Sequence, residues 1–152
     1  MLKDRILAGS VAGMIATLIK SIPNLILWKL GIVKYLYFHL AASALIEPTS
    51  VHTTLGLIVG VLTDVITGGS VGIITVFLFK FTGRDYWWYK GLIVGNMVWL
   101  WGMGILINFG AARIVPVEPL FRLTSLLDHQ LFGLIMAYLI IKLYPEPQPS
   151  KG

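Results

Sequence analysis

The sequence predicts an all-α integral membrane bundle of four transmembrane helices plus one interfacial or re-entrant helix. Three observations carry this reading. Apolar residues run on for whole helix lengths instead of alternating with polar ones. Only 12% of the 152 residues are charged and 57% are hydrophobic, whereas soluble domains carry roughly a quarter charged residues. Four stretches also reach the roughly 20 residues that a helix needs to cross a hydrocarbon core about 30 Å thick.

The first stretch, Ile6–Trp28, follows Lys3 and Arg5 in the manner of a signal peptide, but its apolar run is too long for a signal core. A retained first helix is expected. The connection from Lys29 to Thr53 has an apolar centre, Val33–Ile46, too short to span, which suggests the interfacial or re-entrant helix. The second span is Thr54–Phe79. After it, Trp87-Trp88-Tyr89 and their basic neighbours read as an interfacial anchor. The third span, Gly91–Ala112, has no ionisable side chain, and the fourth, Leu123–Ile141, follows a loop holding Pro116 and Pro119. These make one transmembrane domain over residues 1–144, and residues 145–152 form a Pro-rich tail.

Lys and Arg placement orients the chain. With the N-terminus cytoplasmic, that side holds seven basic residues against four outside, so both termini are expected in the cytoplasm. The net charge of +5 comes from scattered residues suited to anionic headgroups, and no basic stripe or motif points to nucleic acid. No cysteine is present, which excludes thiol catalysis, thiolate metal sites and disulfides.

Small residues spaced for close helix approach are Gly9 and Gly13, Gly56 and Gly60, Gly91 and Gly95, and Gly133. The segment Gly56–Gly60 recurs as Gly91–Gly95, which two independent packing faces would explain. Polar residues share these faces: Lys20 and Asn24 in the first helix, Asp64 in the second and Asn96 in the third. Counted from one bilayer face, Lys20 and Asp64 lie about 12 and about 15 Å deep, so they are natural partners. The pair can be purely structural, or Asp64 can be a proton or cation site with Lys20 as its counter-charge.

His39, His52 and His129 fall in the outer half, near Glu47 and Asp128, at spacings matching no recognised metal motif. Ordinary interfacial histidines are the expectation, with no metal and no cofactor. Ser70 beside Gly68-Gly69 has no histidine at its depth, and Asp128 is placed too near the surface to pair with Asp64 in an intramembrane protease. No catalytic residue is assigned.

The opening Lys3 and Arg5 with Ala8-Gly9 and Ala12-Gly13, then Lys90-Gly91, Gly95 and Trp99, and finally Gly133, resemble small four-helix integral membrane proteins of Gram-positive anaerobic bacteria. That resemblance implies an inner (plasma) membrane location and brings no activity with it. Three functions compete: a non-catalytic subunit that self-associates or joins a membrane partner, a small transporter or channel using Asp64 and Lys20, and a membrane-embedded enzyme acting on lipid. The bilayer is a partner in all three.

Overall fold

The computed structural model describes residues 4–144, so the expected tail at 145–152 lies outside the described residues. Within them the chain is all-helical. The helices are α1 (Arg5–Lys29), the short α2 (Tyr37–Ser43), α3 (Thr54–Thr82), α4 (Trp87–Trp99) and α5 (Pro119–Leu143). A 3-10 turn, Pro48–Ser50, precedes α3, and α4 runs on into a π-helical segment, Leu100–Leu106.

Local chemistry sets the ends. Asp4 caps α1 by accepting a 2.7 Å hydrogen bond from the Leu7 amide, and Thr53 caps α3 by accepting from Gly56 at 3.1 Å. Gly83 ends α3 with a φ of 75°, a conformation that a side chain would oppose. Pro119, at the first turn of α5, needs no helical hydrogen-bond partner.

Three helices, α1, α3 and α5, are long and apolar enough to cross a membrane. The expected third span differs from the observed element at both ends. Helix begins four residues earlier, at Trp87, so those aromatics form the first turn of α4 rather than a loop. Residues 107–112 are not helical: Gly110 has a φ of 87° and the backbone turns away.

The long helices stand in a row, α3–α1–α5–α4, in which α1 packs against both α3 and α5, and α5 carries α4. Glycine makes the two outer crossings possible. Gly9 and Gly13 abut the backbone of Gly72 and Gly68, while Gly91 and Gly95 abut Gly133 and His129. Gly56 and Gly60 face neither crossing. They receive the backbone of Ser50 in the 3-10 turn and of Phe38 in α2, so the same five-residue pattern serves the short connecting segment in one helix and a long helix in another. The connection after α1 is not laid flat on a surface. Val33, Leu36, Tyr37, Leu40 and Ala42 are buried, and α2 packs on α3.

Two apolar clusters result. One gathers Tyr37, Leu40, Val51, Met103, Ile107 and Phe121, and the other gathers Ala12, Ala16, Phe79, Phe132, Met136 and Ile140. Lys20, Asp128 and His129 lie between them along α1 and α5.

Candidate functional site: a buried cation and two carboxylates

Lys20 is 4% exposed, and such a charge requires partners. Its Nζ lies 3.1 Å from Asp64 Oδ2 and 3.5 Å from Oδ1, and 4.7 Å from the centroid of the Tyr37 ring. The ammonium is therefore held by a carboxylate and an aromatic face together. Lys20 also lies within electrostatic reach of Asp128.

Tyr37 organises the other half. Its hydroxyl donates to Asp128 Oδ2 at 2.6 Å. Burial first, and then the Asp128 carboxylate, push the phenol far above its ordinary pKa, so it remains a donor. Asn24 positions it from below. Its Oδ1 accepts from the Tyr37 amide at 3.0 Å, and its Nδ2 donates to the Tyr35 carbonyl at 3.4 Å. The Tyr37 ring meets His129 edge-on at 5.9 Å. His129 Nδ1 lies 2.7 Å from the Ser125 carbonyl, which can only accept, so Nδ1 carries the hydrogen.

Lys20, Tyr37, Asp64 and His129 line a cavity of about 230 Å³. Thr63, Asp64, Thr67 and Val71 of α3 make one wall, and Val98, Gly102 and Met103 make the other. Leu40, Ala41 and Ala44 of the α2 region and Ala111-Ala112 close one end. The cavity lies between α3 and the α4 region, which make no packed interface with each other. The π-helical wall is anchored by Arg122, whose Nη1 donates to the Met103 carbonyl and whose Nε donates to the Pro116 carbonyl at 2.8 Å.

Of the residues singled out from the sequence, Lys20, Asn24 and Asp64 come together here. Asn96 does not: it is exposed and accepts a 3.1 Å hydrogen bond from Gln130. Asp128, set by depth counting nearer the outer bilayer surface than Asp64, is buried within the protein at 6% exposure, where Tyr37 reaches in from the connection to meet it. Tyr37 is the residue that sequence reasoning missed. Its only signal was an aromatic within an apolar connection too short to span.

The histidines are divided. His39 and His52 lie 4.4 Å apart, ring to ring, and Trp28 meets His39 at 6.0 Å, while His129 belongs to the cavity. Burial, and then His52, push the His39 imidazole down to about 4, so it stays neutral. Among the described residues no three His, Asp or Glu side chains are grouped to hold a metal ion. Ser70 donates to the Ile66 carbonyl at 3.0 Å on an exposed face and has no base beside it.

No protein-family model, curated protein or solved structure matches this chain.

Proposed function

We propose that this is a four-span inner-membrane protein whose cavity binds a small organic cation and carries it within the bilayer. The fourth crossing would be α4 with its π-helical extension, together 20 residues, enough for a core about 30 Å thick. A π segment is a recurrent feature of functional helices because it displaces side chains from the regular helical register. Here it supplies Gly102 and Met103 to the cavity wall.

One observation carries the reading. The Asp64 carboxylate and the Tyr37 ring converge on one ammonium, that of the chain's own Lys20, and the Tyr37 hydroxyl in turn is held by Asp128. Carboxylates and an aromatic face are the chemistry that recognises substituted ammonium ions. Lys20 is then a tethered resident cation that an incoming one displaces, and a proton taken up by a carboxylate would reverse the exchange. The apolar walls suit a solute with a hydrocarbon body, and the volume has room for roughly seven waters or one compact organic ion.

The subunit reading draws on the glycine faces, which could meet other helices or another subunit, and on the lack of a catalytic constellation. Those faces are occupied within the chain, which weakens it. What favours a partner helix is the gap between α3 and α4, and a ligand-free protein that always copurifies with a second polypeptide would support that alternative.

Binding of benzyltrimethylammonium to the protein in lipid nanodiscs, followed by calorimetry, tests the proposal. Saturable binding that Asp64→Asn abolishes is expected. Equal heats from wild type and Asp64→Asn would refute it.

A further inference from the structure

The α4–α5 crossing brings two primary amides together on the outside of the helix row. Gln130 Nε2 donates to Asn96 Oδ1 at 3.1 Å, and the contact is exposed. Gln130 stands 11 residues after Pro119 and 13 before Leu143, so the pair lies at the middle of α5, about 16 Å or more from either end. Because α5 is long and apolar enough to cross a membrane, both amides fall at the centre of the hydrocarbon. The single bond between them uses one N–H and one carbonyl. Among the described residues Asn96 Nδ2 has no acceptor and Gln130 Oε1 has no donor. Exposed hydroxyls on α3 behave differently. Thr67 and Ser70 donate to the Thr63 and Ile66 carbonyls of their own helix, at 2.8 and 3.0 Å.

An amide group without a partner is costly in hydrocarbon, where no water relieves it. Reversing both amides changes nothing, because the bonded pair always presents one NH2 group and one carbonyl outward. A donor and an acceptor side by side are self-complementary. A second copy turned about a two-fold axis offers its carbonyl to the donor and its NH2 group to the acceptor. The flanking surface suits that contact: Ile93 and Leu100 share the Asn96 face of α4, Leu123 and Leu127 share the Gln130 face of α5, and all four are exposed. Gly95 seats α4 directly on the His129 backbone, so the two helices present one continuous surface. We propose that the chain forms a two-fold dimer through this α4–α5 face, with Asn96 of each copy donating to Gln130 of the other. None of these six side chains lines the Lys20 cavity. The dimer requires the membrane-spanning part of the proposed function and not its cation binding.

Self-association in phosphatidylcholine vesicles tests it, followed by energy transfer between donor-labelled and acceptor-labelled protein as lipid is added to dilute them. A dimer is expected for wild type. Asn96→Leu with Gln130→Leu should weaken it about tenfold and leave the helical content unchanged, because both side chains already face outward. The chain has no cysteine, so single replacements report which surface is used. A short bismaleimide should join Ile93→Cys into a dimer and leave Ile66→Cys, on the exposed side of α3, as single chains. A monomer at every dilution, a dimer that the double variant leaves unchanged, or linkage at Ile66→Cys without linkage at Ile93→Cys would overturn the proposal. Extraction tells the two readings apart. Protein that alkaline carbonate releases without detergent would overturn the membrane-spanning reading together with the dimer, whereas a monomer that only detergent releases overturns the dimer alone.

Discussion

The Tyr37 hydroxyl donates to Asp128 Oδ2 across 2.6 Å, joining residues 91 positions apart in the chain. That contact fastens the short helix α2 to the middle of α5 and gives a buried carboxylate a donor. Tyr37→Phe should therefore cost about 1.5–3 kcal/mol, the range for a hydrogen bond to a charged group. Reversible unfolding in mixed micelles measures it. Combining Tyr37→Phe with Asp128→Leu should recover part of the loss, because the unpaired carboxylate goes too. A double variant as unstable as the sum of the singles would count against the bond.

Lys20 and Asp64 form a largely buried ion pair, and removing one member leaves a charge without its partner. Asp64→Leu alone should destabilise by about 3–5 kcal/mol, and Lys20→Met with Asp64→Leu should be close to wild type. A double variant that fails to fold would mean that the pair does more for the fold than neutralise itself.

Glycines at the two crossings differ from Gly102 in the cavity wall. A Cβ on Gly13 or Gly133 would collide with the backbone of the facing helix, whereas one on Gly102 meets nothing within 4 Å. Gly13→Ala is expected to cost about 1–3 kcal/mol, as overpacking does, and Gly102→Ala far less. Equal losses at both positions would show that the crossings tolerate more room than their geometry allows.

His39 gives the fold a pH dependence outside the long helices. Its pKa is pushed down to about 4 by burial and then by His52, against roughly 6.5 when unfolded. Between those values the unfolded chain binds more protons. The stability contributed by neutral His39 is therefore complete above about pH 6.5 and is lost as pH falls toward about 4. Thermal unfolding of wild type should weaken more steeply over that interval than that of His39→Gln. Parallel curves would refute the assignment.

Depth counting sufficed to bring Lys20 and Asp64 together, because two antiparallel helices of regular rise leave little freedom. It gave no sign of the partner that Asp128 finds. Its neighbour in space comes from a non-helical connection, and no periodicity reports how far such a segment dips inward. Asn96 shows a second limit. Gly95 abuts α5 and the next residue necessarily points elsewhere, so adjacency in sequence placed Asn96 on the wrong face. Glycine spacing marked Gly56 and Gly60 as close-approach positions, yet whether a short connecting segment or a long helix fills the groove depends on the rest of the chain.

The most direct test compares benzyltrimethylammonium affinity in nanodiscs for wild type, Lys20→Met and Asp64→Asn. If Lys20 is a resident cation that the ligand must displace, Lys20→Met binds at least about tenfold more tightly than wild type, and Asp64→Asn does not bind. If Lys20→Met binds no better than wild type, or Asp64→Asn binds as well as wild type, the buried pair is not a cation site.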